Sequence, residues 1–426
     1  MISIAVNGIP YENFTEASLD LSLDTLCGEF SFVATMSPSE APEFPIQVGQ
    51  QCKIYVDKTL ALTGSVEVIS GSYNASSYDI SIQGRDNTAD IVDSTIGGEV
   101  GLDALQEIGV VEFTKFVLEA TGINKKSETF KYFTGNRLAS ATPFGVISVP
   151  ESETVTQTYP PRIPVYTNVP NVQPFGTGDL QDAATSDTVF QYLDKQARMR
   201  SLLLTTDRFG RLEYQSASGI SDKSTTIINR LGENLNNVLS ASFTNDISKL
   251  FNSYNVRAQQ NMLALNEAGD ISTQALADSG GAAVFDKSIR ESRVLNIIAE
   301  SATNADSCEK RAKWQRGINR AKAFQYNINV VGHSKNDGSI WKLNRLHNVE
   351  DDFAKVDGQL LLNRITFKMD LNTGNTTNLG FVSKDAYTLE VQDPDKIAFY
   401  KVPVQEEIAI TDAQRYAAYS SLTGGF

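Results

Sequence analysis

The sequence predicts a mainly β protein with an α+β insertion: two β domains of barrel or sandwich type flank a smaller α+β domain, with a proline-rich arm and a C-terminal tail. Three observations lead there. Short runs of alternating apolar and polar residues, separated by turn residues, crowd both ends of the chain. A helical stripe leading directly into a hairpin occupies the middle. Two distant stretches, GQQCKIYVDKTLALTGSVEVISGSYNASSYDISIQGRD and GSIWKLNRLHNVEDDFAKVDGQLLLNRITFKMDLNTGNTTNLGFVSKD, share an outline of glycine, strand, acidic turn, glycine, strand and a last strand ending near Asp. Their identity is low, and two similar β domains around an insertion account for the echo. At 426 residues the chain exceeds one ordinary core. The divisions are residues 1–95 for the first β domain, 96–136 with 181–238 for the α+β domain, 137–180 for the arm, 239–390 for the second β domain and 391–426 for the tail.

The elements follow in order. ISIAV precedes Asn7-Gly8, a pair suited to a tight hairpin because both positions accept positive φ. Leu19, Leu21 and Leu23 alternate with Asp20, Ser22 and Asp24, giving one dry and one wet face, and Phe30, Phe32 and Ala34 continue the pattern. Strands resume at CKIYV, LTGSVEVIS and YDISIQG. Phe113, Phe116, Val117 and Ala120 make a helical stripe that Gly122 closes. Residues 137–180 hold seven of the thirteen prolines, which block helix and favour extended backbone. Ser186-Asp187 is expected to cap a helix with Val189, Tyr192, Leu193 and Ala197 inward, followed by the strand LLLTT, the turn DRFG and the strand RLEYQS. After a strand at FNSYNVRAQ, residues 261–283 read as a surface loop and 304–318 as a helix. A long strand through Phe324, Tyr326, Ile328 and Val330 then leads to strands in IWKLNRLHNV and QLLLNRITFKMD.

Bulk chemistry narrows the function. A net charge of −14 disfavours a phosphate backbone as a tight partner. No run of 18 apolar residues exists, so no membrane span is expected, and no secretory signal is expected from MISIAVNGIPYENF. Cys27, Cys52 and Cys308 are scattered, as reduced buried thiols are. Only His333 and His347 are available for histidine chemistry, and neither has a diagnostic neighbour. No GxSxG, P-loop or Rossmann glycine pattern occurs. The basic run KRAKWQRGINRAK at 310–322 reads as a solvated helix face paired with acids, ahead of phosphate contact. No cofactor and no metal is expected.

Asp86, Asp90 and Asp93 stand at i, i+4 and i+7. A metal site would need convergent oxygens, and no calcium-loop pattern surrounds them. The preferred reading is that Asp86 or Thr88 caps a short helix, with Asp90 and Asp93 solvated near its positive end.

The stretch YDISIQGRDNTADIVD resembles a signature of baseplate hub proteins of Mu-like contractile phages, in which a strand ends in Ser/Gly-Arg-Asp before Thr-Ala-Asp and Val/Leu-Asp. DTVFQYLDKQARMRSLLLTTDRFGRLEY resembles the family's helix, strand and hairpin, and WKLNRLHNVEDDFAKVDGQLLLNRITFKMDLNTGNTTNLGFVSKDAY its last β domain. The arm and the tail have no counterpart. The resemblance implies two tube-protein-like β-barrel domains per chain and a homotrimer at the tube's distal end, sharing a core with type VI secretion spike proteins. It also implies as partners the tail tube protein or a tube-terminal adaptor, the central spike and the baseplate wedge proteins. DNA would pass through unbound, and assembly would occur in the host cytoplasm before incorporation into the virion. Arg85, Asp86, Asp90, Asp93 and Trp341 are then candidates for structural or interface roles. The competing readings are a tail-associated peptidoglycan hydrolase and a receptor- or carbohydrate-binding β protein.

Overall fold

The computed structural model describes residues 1–36, 46–74, 77–96, 108–124, 129–131, 154–156, 163–170, 172, 174–175, 186–200, 202–216, 220–230, 236–257, 281–299, 305–372, 374–384 and 386. Most of the proline-rich arm, the 391–426 tail and most of the 261–283 stretch lie outside them.

Strands β1 (Ile2–Val6) and β2 (Ile9–Tyr11) form the expected hairpin, with φ of 50° at Asn7 and 84° at Gly8. β3 (Glu16–Ser22), β4 (Glu29–Met36), β5 (Gln51–Val56), β6 (Thr59–Tyr73) and β7 (Tyr78–Asp86) follow, and α1 (Ala89–Asp93) ends this block. Their spatial order is β3-β4-β7-β6-β5-β1-β2.

The insertion contains α2 (Val110–Ala120), the strand pair β8 (Thr129–Lys131) and β9 (Thr154–Thr156), β10 (Val165–Thr167), α3 (Val189–Met199), β11 (Leu203–Thr206) and β12 (Leu212–Gln215). Its core joins Phe113, Phe175, Tyr192 and Tyr214, and the Tyr214 hydroxyl is satisfied by Thr114 at 2.8 Å. The cap of α3 is Thr188, not Ser186-Asp187. Its hydroxyl accepts from Gln191 N while the Gln191 side chain accepts from Thr188 N, a two-way capping box.

Beyond it lie β13 (Ser221–Asn229), β14 (Ser240–Asn245), β15 (Ser253–Arg257), β16 (Ala282–Phe285), β17 (Val294–Ile298), α4 (Ala305–Ala323), β18 (Phe324–Val331), β19 (Leu346–Asp351), β20 (Val356–Asp370) and β21 (Gly374–Ser383). The helix expected over 304–318 thus continues to Ala323. Two assignments differ from the sequence reading. β13 falls within the stretch given to the insertion, yet it pairs in parallel with β19. β15, β16 and β17 form a separate three-stranded sheet against α4 instead of joining the second β domain's sheet.

The two β blocks are fused. One side of β20 pairs with β21; the other pairs with β19 over residues 356–361 and with β3 over 364–370. A single 13-stranded sheet results, backed by one apolar core running from Ile2 to Phe381. The echo in the sequence is a repeat in topology. The antiparallel order β4-β7-β6-β5 recurs as β18-β21-β20-β19. β3 flanks β4 as β14 flanks β18. The two long strands even carry a bulge at the same place, after Val66 in β6 and after Leu362 in β20.

Candidate functional site

Two features stand out: the end of β7 and the polar face of the fused sheet. Alternation sends Arg85 to the polar face and Asp86 inward. Arg85 donates from Nε to Glu67 (2.7 Å) and from both terminal nitrogens to Asp93 (3.0 and 2.5 Å). This forked pairing holds the Asp93 carboxyl below its ordinary range and raises the guanidinium. Asp90 lies on the exposed side of α1 without joining that pair; partial desolvation, then the Asp93 and Glu67 charges, raises its carboxyl.

Asp86 is only 3% exposed. Its carboxylate accepts from Gly28 N (2.8 Å), Thr88 N (2.8 Å), the Thr88 hydroxyl (2.5 Å) and the Cys27 thiol (3.4 Å). Burial raises its pKa and these hydrogen bonds oppose the rise. With its proton on Asp86, the Thr88 hydroxyl can only accept from Thr206 of β11, whose single proton is shared between Thr88 and Leu26 O (2.9 Å each). Thr63 donates to Arg208 O at 2.9 Å. The end of β7 is thus where the first β block meets the insertion. The three carboxylates do not converge, and among the described residues no group of three metal-ligating side chains forms. Of the two expected capping residues, Thr88 holds the N-cap position of α1 without a side-chain cap bond, and Asp86 accepts its N–H.

Trp341 sits away from this cluster, on the β18–β19 connection. It is buried, with its ring 5.2 Å from that of His347, which in turn faces Phe381 at 5.9 Å. Trp341 Nε1 and both His347 ring nitrogens have no hydrogen-bond partner among the described residues. Burial pushes His347 down to about 4 and keeps it neutral. His333 Nε2 donates to Lys368 O (2.9 Å), and the neighbouring Ser334 donates to Asp57 (2.6 Å). Among the described residues no nucleophile–base pair is built around either histidine. A cleft of about 600 Å³ separates Trp341 from the β11–β12 turn.

The polar face has a regular register. One row runs Asn329, Asn378, Thr366, Asp20, Glu29, Arg85 across both blocks. The row beside it runs Thr376, Lys368, Ser18, Ser31, Gln83. Arg364 pairs with Asp20 at 2.6 Å. Sequence reading missed several tethers because nothing local marks them. The Lys335–Asp222 ion pair (2.5 Å) secures β13. Asn344, at a φ of 58°, donates to Gln215 Oε1 (2.8 Å) and Ser216 O (3.1 Å) of the insertion. The basic run is less solvated than expected: Arg316 is buried and donates to Phe285 O (2.9 Å), and Arg320 pairs with Asp286 (3.0 Å).

This fold is that of phage tail proteins. It is shared with the 43 kDa tail protein of prophage MuSo2 from Shewanella oneidensis (TM-score 0.68, 24% identity, covering 91% of this chain and 99% of that one). A tail protein from Neisseria meningitidis MC58 is similar to it as well (TM-score 0.65, 18% identity, covering 91% and 97%). Residues 1–86 match the family model described as Mu phage baseplate assembly protein GpP-like, N-terminal, and residues 303–390 match Mu phage baseplate assembly protein GpP, fourth domain. The baseplate hub protein gp44 of Escherichia phage Mu is 21% identical over 406 residues, covering 93% of this chain and 91% of gp44. The chain thus carries two domains that match Mu phage baseplate assembly protein models and is similar to a Mu baseplate hub protein over most of its length. The match to the N-terminal model begins at residue 1 and ends on Asp86.

Proposed function

We propose that three copies of this chain form a ring at the distal end of a contractile tail tube. The ring joins the sixfold tube to the threefold central spike and frames the passage for DNA. The observation that carries this reading is the repeated strand order: each chain supplies two equivalent blocks in one sheet, so three chains supply six. Its partners are copies of itself, the tube protein or a tube-terminal adaptor, the spike and the baseplate wedge proteins. It assembles in the host cytoplasm and works without cofactor, metal or catalysis. Asp86 serves as the structural joint between the first β block and the insertion, Arg85 and Asp93 brace the strand end beside it, Asp90 stays on the exposed side of α1, and Trp341 packs the opposite wall of the cleft.

The polar face of the sheet suits the lining of such a passage. Around its centre three acids (Asp20, Glu29, Glu67) stand against three bases (Arg85, Arg364, Lys368), so the overall negative charge is not concentrated there. Both guanidiniums are occupied by carboxylates, which leaves no free fork for phosphate. The wild-type protein is therefore expected not to retain duplex DNA at 0.15 M salt. The triple variant Asp20→Asn, Glu67→Gln, Asp93→Asn, with both forks released, is expected to bind at least about tenfold more tightly at low salt, with affinity falling as salt rises. Fluorescence anisotropy with a labelled duplex reads this. Tight binding by the wild type, or no gain in the variant, contradicts the assignment of this face to the passage.

A further inference from the structure

The joint inside each chain is a template for a joint between chains. In β20 the residues after the bulge, Arg364–Asp370, pair with β3, the edge strand of the other block. The equivalent residues of β6, from Val68 to Tyr73, pair with β7 on one side and, among the described residues, with no strand on the other. β14, the equivalent of β3, pairs among the described residues only with β18. It ends the sheet with all six residues exposed. One chain therefore carries both halves of an unmade copy of its own internal joint.

From this repeat, and resting on the ring reading above, we propose that β14 of one copy pairs antiparallel with Val68–Tyr73 of the next. The register follows from the internal joint. Aligning the bulges matches Val68 with Arg364, and both face the polar side. Aligning the pairs Leu19–Phe30 and Phe243–Tyr326 matches β3 with β14. Since Phe367 lies opposite Leu19 and Lys368 opposite Ser18, Gly71 falls opposite Phe243 of the neighbour, and Ser72 opposite its Ser242.

The chemistry at those positions fits. Leu19 is fully buried by the internal joint, whereas Phe243, in the matching place, is 41% exposed with Phe353 against its ring at 5.9 Å. Opposite it stands a glycine: a Cβ built on Gly71 meets only Asp79 O, at 3.6 Å, so the site is open to a large ring. Tyr73, at 78% exposed, and Leu239 extend the two apolar patches along their edges. Among the described residues no strand pairs with the outer edge of Ser240–Thr244 or with the free side of Val68–Tyr73, and strand addition would give both a ladder partner. The contact is head-to-tail, so its closure yields a ring.

The test is a cysteine pair. Directly opposed residues of antiparallel strands lie within disulfide reach. Under mild oxidation, the double variant Ser72→Cys, Ser242→Cys is expected to give linked species ending at three chains on a non-reducing gel. Each single variant should remain unlinked. Phe243→Asp, at an exposed position, is expected to abolish the ring while leaving the far-UV circular dichroism of the chain unchanged. A three-chain particle in which the double variant fails to link, or a ring that survives Phe243→Asp, overturns this interface and leaves the ring reading standing. A chain that neither links nor assembles, alone or in tails, overturns both.

Discussion

Asp86→Ala is expected to lower the unfolding free energy by about 3 kcal/mol. The variant leaves Gly28 N–H and Thr88 N–H buried without an acceptor, at about 1–3 kcal/mol each, and relieving the burial of the carboxylate offsets part of that loss. It also cuts the chain of bonds from β7 through Thr88 and Thr206 to Leu26, so the joint with the insertion should loosen first. The neighbouring acids make the control. Asp93→Ala removes an exposed ion pair and should cost less than about 1 kcal/mol. Asp90→Ala relieves repulsion from Asp93 and Glu67 and should be neutral or slightly stabilising. Urea denaturation of the three variants checks the order, and an Asp86→Ala protein as stable as wild type would contradict the geometry assigned to this carboxylate.

His347→Phe is expected to flatten the acid limb of stability. Burial lowers this histidine from an ordinary 6.5 to about 4 in the folded chain. Below pH 6.5 the unfolded chain takes up a proton that the folded chain refuses until about pH 4. The stabilising contribution is thus complete above pH 6.5 and lost as pH falls toward 4, at about 1.4 kcal/mol per unit and roughly 3 kcal/mol in all. Burial lowers His333 in the same direction, so the quantity to read is the difference between wild type and variant from pH 7.5 to 4. Phenylalanine keeps the ring packing against Trp341 and Phe381 without a titrating group. Parallel pH profiles for the two proteins would contradict a buried neutral His347.

Much of this was legible in the sequence because it is encoded locally. The alternation through Leu19, Phe30 and Tyr326 marks strands, Asn7-Gly8 marks a hairpin, and Gly122, at a φ of 84°, ends α2. Even the topological repeat shows through as a shared outline of glycines and strand ends, because the bulged long strands need the same turns on either side. What remained hidden is non-local. The β20–β3 pairing joins residues more than 340 positions apart, and no pattern in either strand names its partner. The parallel pairing of β13 with β19 was missed for the same reason. At the candidate site, helical spacing put Asp86 with Asp90 and Asp93, but Asp86 still belongs to the strand, where alternation turns it into the protein. Arg85 and Asp93 found each other across the short turn; their link to Glu67 depends on the β6–β7 register.

The central claim is the closed ring, and solution mass tests it most directly. Multi-angle light scattering on the purified protein, with negative-stain images of the same sample, should give about three times 46.6 kDa and a particle with a central hole. A mass of one chain, both alone and after co-expression with the tube and spike proteins, would contradict it.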